Sequence, residues 1–532
     1  MNDDQLKITV LGGQEEIGLN STVIETADDI VIIDLGNNFD DECFGLDYYI
    51  PNIDLLESKL DKIRGLLITH GHYDHRGALP FLIDKLGYPP IYGSPFTIQL
   101  IRQHLRRFKK EKLTRFIPLY PRQEVNLGKV NIKAIHLTHS IIGSYGYLLK
   151  TNYGNIFHTG DFKLDEAPFR EKVSDYDSLR QASQENILVA MIDSTRANRE
   201  GHSRSETSIA ENLDKLIKKS AGRVIVSTFA QMITRINQIT LIGKKYGRQS
   251  FIKGTTLEKT IRIAKEMDLL DRSLKFKDAE EMKNYPDSQI LLLATGSQGE
   301  EKAALKRMLE AKTGNFKIKP TDTIILSSSS IPSNIVTIQK MVDSFADRGC
   351  RVYTDDIIDI HAGGHAHQDE LKEMIQLLKP RFILPVEGYI SFRHQLAHLA
   401  HSLGYQKGQL ILAKNNQPVI INQRGFKKTG GKMKKPGVVI SDLVVKDGSE
   451  IINQRKKAAQ RGLLTVLVHP RNGEIKISSW GVPNIVLRQI KKNLLGMKIP
   501  KTELKKIRIM IKKLLLRHFE EELIPVINVD SF

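Results

Sequence analysis

The sequence predicts an α/β protein of several domains, and three observations point to it. At 532 residues the chain is longer than one core serves, so two or three domains are expected. Short strands with polar residues at their ends fill the first third and return at about 351–422. Between them strands alternate with helices, the pattern of βαβ units on a parallel sheet.

In chain order, "LKITV" (6–10), "TVIE" (22–25), 30–35 and 63–69 are rich in β-branched residues and separated by Gly, Asn and Asp, and read as strands. "GALPFLIDKLG" reads as helix and stops at Gly87. Strands follow at 130–137, 145–150, 155–158 and 187–192. From Ser205 the texture changes to a helix at 207–219, a strand at 223–227, a helix at 230–246, then "ILLLATGSQGE" and "TIILSSSSIP". "RFILPVEG", "QLILA" and "QPVIIN" are expected to return the chain to its first domain as strands. "KKTGGKMKKPG" (427–437) reads as linker, and "GLLTVLVHP", "EIKISSWG" and a basic helix around 501–519 make a small α+β tail. The expected division is 1–205 and 351–426 for the interrupted first domain, 206–350 for the insertion, 427–448 for the linker and 449–532 for the basic C-terminal domain.

Composition narrows the function classes. With 40% hydrophobic residues and no low-complexity tract, the chain is expected to fold. Two cysteines, Cys43 and Cys350, give neither a disulfide framework nor a CxxC motif. The start "MNDDQLKITV" lacks the basic and apolar regions of a secretion signal, and no apolar run nears the roughly 20 residues that span a bilayer. A cytoplasmic protein without a membrane partner is expected. Net charge is +18, and residues 427–532 hold 23 Lys and Arg against 9 Asp and Glu, an excess of 14. Charge so concentrated calls for a polyanionic partner.

"LLITHGHYDHRGALP" (66–80) carries the chemistry. Side chains two apart on an extended segment point the same way, so His70 and His72 reach one ion from one face. As the chain turns into the next helix, Asp74 and His75 swing toward a second ion. Imidazole with carboxylate favours zinc, with manganese the alternative.

These residues form an HxHxDH signature, and with it the chain resembles the metallo-β-lactamase superfamily and, within it, the ribonuclease J family of β-CASP nucleases. "LGGQEEIGLN", Asp34 in "VIIDLG", His139 in "LTHSI", Asp161 in "HTGDFK", Asp193 in "IDSTRA" and His365 in "HAGGHAHQDEL" stand in the family's order. The resemblance implies an αββα sandwich with an inserted β-CASP α/β domain and a small α+β C-terminal domain. It implies two zinc ions per chain: one on His70, His72 and His139, the other on Asp74 and His75, with Asp161 bridging. Asp34 would orient the histidine loop, His365 would serve as general acid and Asp193 would fix its orientation. Paired ions lower the pKa of water toward about 7 and polarise a phosphoryl oxygen.

Two departures stand out. Where the family has a histidine ligand in "PVHGE", this chain has Glu387 in "LPVEGY". Glu387 replaces the imidazole with an oxygen ligand, or His394 supplies the nitrogen, or the second ion binds weakly; the first is favoured. In "AQMITR" (230–235), where the family tends to show Asn and His in a substrate loop, Met232, Ile233 and Thr234 stand in their place.

Small hydroxylated and glycine-rich turns at strand ends, among them Ser297, Ser329 and Ser330, make ready anion sites. The resemblance adds their convergence with His361, Ala362, Gly363 and Gly364 on a 5′-monophosphate. It implies a single-stranded RNA substrate, 5′-to-3′ exonuclease and endonuclease action in RNA maturation and decay, a homodimer or homotetramer, and RNA-decay or ribosome-associated partners. The rivals are a lactamase- or glyoxalase-like small-molecule hydrolase, a β-CASP DNA nuclease and a non-catalytic RNA-binding paralogue.

Overall fold

The computed structural model describes residues 5–38, 47–298, 303–311, 317–328, 334–430, 436–440, 443–445, 449–469, 474–494, 504–517 and 525–531. The chain forms two compact units, Met1–Phe39 with Tyr48–Lys434, and Asp40–Asp47 with Lys435–Phe532.

Two sheets face one another in the first unit. One has eight strands and includes Leu6–Gly12, Ser21–Glu25, Ile30–Ile33, Ile63–Leu67 and Val419–Asn422. The other has six and includes Val130–His136, Tyr145–Lys150, Asn155–His158, Ile187–Asp193 and Phe382–Val386. The inward side chains of both, among them Ile8, Val10, Val31, Ile33, Ala134, Tyr147, Val189 and Leu384, form one core. Helices Tyr176–Gln184, Gln368–Leu378 and Ile390–Ser402 cover the second sheet with Leu179, Leu371, Ile375 and Leu396. On the first sheet, Pro95–Arg107 packs against Ile91–Gly93. This is the expected αββα sandwich.

The insertion is a six-stranded, all-parallel sheet that includes Val224–Ser227, Gln249–Lys253, Ile290–Ala294 and Thr323–Leu326. Helices Glu206–Lys219, Ile233–Lys245 and Thr255–Glu266 pack on one face and Ala304–Glu310 and Ile335–Ala346 on the other. Its core is continuous with Phe96, Leu100 and Ile141 of the sandwich. The edge strand Arg351–Tyr353 also belongs to this sheet, so the sheet runs past the expected boundary at 350.

Two expectations need correction. "QLILA" is not a strand: Lys407–Gln409 forms a 3₁₀ turn and Leu410 makes one isolated bridge to Ile383. The stretch 427–448, read as linker, contains strand residues: Lys427 and Lys428 finish Gly425–Lys428, and Gly437–Ile440 pairs with Leu443–Val445. Apolar Val and Ile beyond Pro436 outweigh the glycines and lysines before it. The second unit is α+β, with Leu463–Val468 between antiparallel Ile475–Trp480 and parallel Val526–Ser531, its core built from Leu464, Val466, Ile490, Ile507 and Ile511.

Candidate metal centre

Strand ends deliver the site. Ile30–Ile33 and Ile63–Leu67 run parallel and stop at one level, where Asp34 N–H donates to Leu67 O at 2.9 Å. Asp34 turns into the left-handed region (φ 60°). Its Oδ1 accepts from Thr69 N (2.8 Å) and its Oδ2 from Thr69 Oγ1 (2.9 Å). The histidine loop is then clamped by backbone: Asn20 N–H donates to Asp74 O and Leu35 N–H to His75 O. Gly36 lies so close that a Cβ there would occupy the Asp74 carbonyl. Buried Arg76 donates from Nε to Gly71 O at 2.6 Å, fixing the residue between His70 and His72.

Three imidazole nitrogens converge. His72 Nδ1 lies 3.0 Å from His70 Nε2 and 3.2 Å from His139 Nε2. His139 donates its Nδ1 proton to Gly364 O at 2.6 Å, leaving Nε2 as a lone pair. Thr69 Oγ1, its own proton given to Asp34, accepts from His70 Nδ1 at 3.0 Å, with the same result. Burial and the neighbouring imidazoles push His70 and His139 well below the usual histidine range, and His72 to about 3, so all three are neutral at pH 7. Donors about 2.0–2.1 Å from one tetrahedral zinc stand roughly 3.3 Å apart, close to these separations.

The carboxylates come from three adjacent parallel strands of the second sheet. Asn155–His158, Ile187–Asp193 and Phe382–Val386 end side by side and lead to Asp161, Asp193 and Glu387. Asp161 Oδ2 lies 3.7 Å from His70 Nε2, 3.8 Å from His139 Nε2 and 3.2 Å from His75 Nε2, between the two groups of ligands. His75 Nε2 is also 3.7 Å from Asp74 Oδ2 and 3.5 Å from Glu387 Oε2, and its Nδ1–H donates to Asp34 Oδ2 at 2.8 Å. Although burial disfavours charge on His75, Asp161, Asp34 and Asp74 hold its pKa well above the usual value. Burial and the Glu387 carboxylate raise Asp161 well above its own.

A proton on His75 thus stands among carboxylates where a cation would sit, and metal binding displaces such protons. Glu387 Oε2 is buried with no hydrogen-bond partner. Among the described residues, four overlapping groups are spaced to hold an ion: His70, His72 and His139; His70, His75 and Asp161; Asp74, His75, Asp161 and Glu387; and Asp161, Asp193 and His365. The residues therefore fit divalent metal ions, with Asp161 common to three of the four groups.

Beside them, His365 Nδ1–H donates to Asp193 Oδ2 at 2.8 Å, and Asp193 Oδ1 accepts from Thr195 N–H. The His365 ring stands edge-on to His139 with centroids 5.3 Å apart. Burial opposes its protonation, but Asp193 and Asp161 raise its pKa to about 9.

The expected substrate residues fall in different settings. Gly363 is exposed, whereas His361, Ala362 and Ser297 are buried. Met232 and Ile233 are each 1% exposed; Met232 Sδ accepts from Thr228 Oγ1 and Ile233 belongs to the insertion's core. Thr234 is buried beside Arg235, which donates to Glu206, Ser327 Oγ and Ile360 O. Ser329 and Ser330 lie outside the described residues. His394 is exposed on Ile390–Ser402 and belongs to no ligand group among the described residues. Sequence reasoning missed Thr69, Arg76 and the contact of Gly364 with His139. Arg76 alone carried a signal, as a charged residue entering an apolar helix.

Comparison with known proteins agrees with this geometry. The family described as "Ribonuclease J, beta-CASP domain" matches residues 221–345, and "Metallo-beta-lactamase superfamily" matches 17–227. Ribonuclease J of Helicobacter pylori (strain ATCC 700392 / 26695) is 35% identical over 468 residues, 87% of this chain and 68% of that protein. Ribonuclease J of Thermus thermophilus is 35% identical over 87% of this chain and 82% of its own length. Ribonuclease J2 of Bacillus subtilis is 30% identical over 88% and 84%. A crystal structure of a protein of unknown function from Enterococcus faecalis V583 shares the fold (TM-score 0.57, 13% identity, 78% of this chain and 100% of that one). With its ligand strands, its inserted parallel sheet and these relatives, the chain belongs to the ribonuclease J family of β-CASP proteins in the metallo-β-lactamase superfamily.

Proposed function

We propose that the chain is a metal-dependent ribonuclease that shortens 5′-monophosphorylated single-stranded RNA in the 5′-to-3′ direction and also cuts internally. The observation that carries this reading is the place of Asp161 Oδ2, 3.2–3.8 Å from His75, His70 and His139, between two ligand groups. Two zinc ions, or manganese in their stead, would supply an ionised water and draw charge from the phosphoryl group. His70, His72 and His139 would hold one; Asp74, His75 and Glu387 would hold the other; and Asp161 would serve both.

The remaining roles follow from the hydrogen bonds. Asp34 takes the Nδ1 proton of His75 and so turns Nε2 toward the ions. Asp193 takes the Nδ1 proton of His365 and leaves Nε2 to deliver a proton to the leaving oxygen. The 361–364 segment and the strand-end turns of the insertion receive the 5′-phosphate, and the basic C-terminal domain follows the RNA backbone. Work in RNA maturation and decay in the cytoplasm, as a homodimer or homotetramer with RNA-decay or ribosome-associated partners, completes the reading. Among the described residues no helix is long and apolar enough to cross a membrane.

The test is incubation of the full chain, with zinc or manganese, with matched RNA and DNA strands bearing a 5′-monophosphate. Release of mononucleotides from RNA, stopped by a chelator, is expected. RNA left intact with both metals contradicts the reading, and equal cutting of DNA makes the chain a DNA nuclease instead. Glu387 in place of the imidazole favours one second reading, an RNA-binding subunit without catalysis, which would bind RNA and leave it whole.

A further inference from the structure

We infer that Glu387 makes the two ion positions chemically unequal, so that the second discriminates far less between zinc and manganese than the first. This deepens the two-ion reading and rests on it. The first position offers three ring nitrogens and a share of Asp161. The second offers one nitrogen, from His75, among three carboxylates, Asp74, Asp161 and Glu387. Nitrogen ligands suit zinc, and carboxylate oxygens suit manganese. Zinc still binds more tightly than manganese at most mixed sites, so the inference is a narrowed gap and not a reversal.

Glu387 is built for the task. It follows Phe382–Val386 in the left-handed region (φ 47°), a conformation that side chains other than glycine seldom adopt without support. Support comes from both sides. Ser194 Oγ donates to the Glu387 carbonyl at 2.7 Å, and the next N–H, of Gly388, donates to Gly13 O and Glu16 O. The carboxylate is divided in the same way. Its Oε1 accepts from Gly18 N–H at 3.3 Å, and its Oε2, buried and without a hydrogen-bond partner, faces His75. One oxygen is anchored and the other is presented as a single donor. Among the described residues no second imidazole replaces it, because His394 stands exposed on the following helix.

The full chain is stripped with a chelator, given one equivalent of zinc, and titrated with manganese against zinc. Free manganese is followed by electron paramagnetic resonance and bound metal by elemental analysis. At the second position the zinc-to-manganese affinity ratio is expected to be at least tenfold smaller in the natural chain than in Glu387→His. Asp74→His, at a side chain 35% exposed, adds a nitrogen to the same group with little disturbance and is expected to raise the ratio in the same direction. Two ions bound with the same ratio in all three proteins would overturn the inference and leave the two-ion reading standing. Fewer than two ions bound to the natural chain would overturn both.

Discussion

Gly364 and His139 act as one unit. The Gly364 carbonyl accepts a hydrogen bond from His139 Nδ1–H at 2.6 Å, and a Cβ on Gly364 would strike the imidazole ring. A residue 225 positions away in the chain thereby sets which nitrogen of His139 faces His72. Gly364→Ala keeps the carbonyl but pushes the ring away from it, and is expected to lower affinity at the first position about 10- to 100-fold, the usual cost when the group that orients a ligand no longer reaches it. Isothermal titration with zinc and a thermal melt of the metal-free protein separate this from unfolding.

Asp34 plays the corresponding part for His75, and it also holds Thr69 through both carboxylate oxygens. Asp34→Asn keeps the shape but loses an acceptor for the His75 proton. We expect it to weaken the second ion by about 10- to 100-fold and, because Asp34 Oδ2 also holds the Thr69 hydroxyl that orients His70, to weaken the first by a smaller factor, as read by metal stoichiometry across a zinc titration.

His365 touches no proposed ion position as a ligand, so its loss separates chemistry from metal binding. His365→Ala is expected to slow RNA hydrolysis by about 10²- to 10⁴-fold with two ions still bound. A variant that also loses metal would place His365 among the ligands.

The His365 pKa of about 9 gives a signed pH prediction for the metal-free chain. The folded value is raised above the ordinary one of about 6.5, so protonation stabilises the fold fully below that pH, and the contribution fades as pH rises through about 9. An NMR titration of the ring should show a midpoint near 9. Asp193→Asn removes the nearest carboxylate and is expected to move the midpoint down by about one unit or more. Bound cations, repelling the same proton, should also lower it.

The exposed basic residues of Leu504–Leu515 offer a test of RNA binding by the tail. If Lys505, Arg508 and Lys513 each meet a phosphate, replacing all three with alanine lowers the slope of log affinity against log salt by about 2, at roughly 0.7 per contact on a single strand. Filter binding at several salt concentrations reads it. An unchanged slope would place the RNA elsewhere.

What the sequence made legible was whatever lies close together in the chain. Four candidate ligands within six residues, His70 to His75, announce themselves by spacing, and Glu387 announces itself by standing where a known motif has histidine. "QLILA" looked like a strand because a short apolar run says nothing about what lies beside it; in the fold it pairs with a strand at one point alone, the bridge of Leu410 to Ile383, where Ile411 N–H donates to Ile383 O. The resemblance puts Met232 and Ile233 in a substrate loop, but their apolar side chains pack inside the insertion. Thr69 and the contact of Gly364 with His139 were illegible for the opposite reason: each works through a residue that the fold brings near, and neither carries a chemical group that marks the contact. Arg76 carried a signal, a charge entering an apolar helix, but its partner, the Gly71 carbonyl, did not show.

The central claim is that two ions sit on either side of Asp161, and anomalous X-ray scattering from metal-loaded crystals of the full chain tests it most directly. The account predicts two peaks, one bounded by His70, His72 and His139 and the other by Asp74, His75 and Glu387, with Asp161 touching both. A single peak, or two that leave Asp161 unligated, would contradict it.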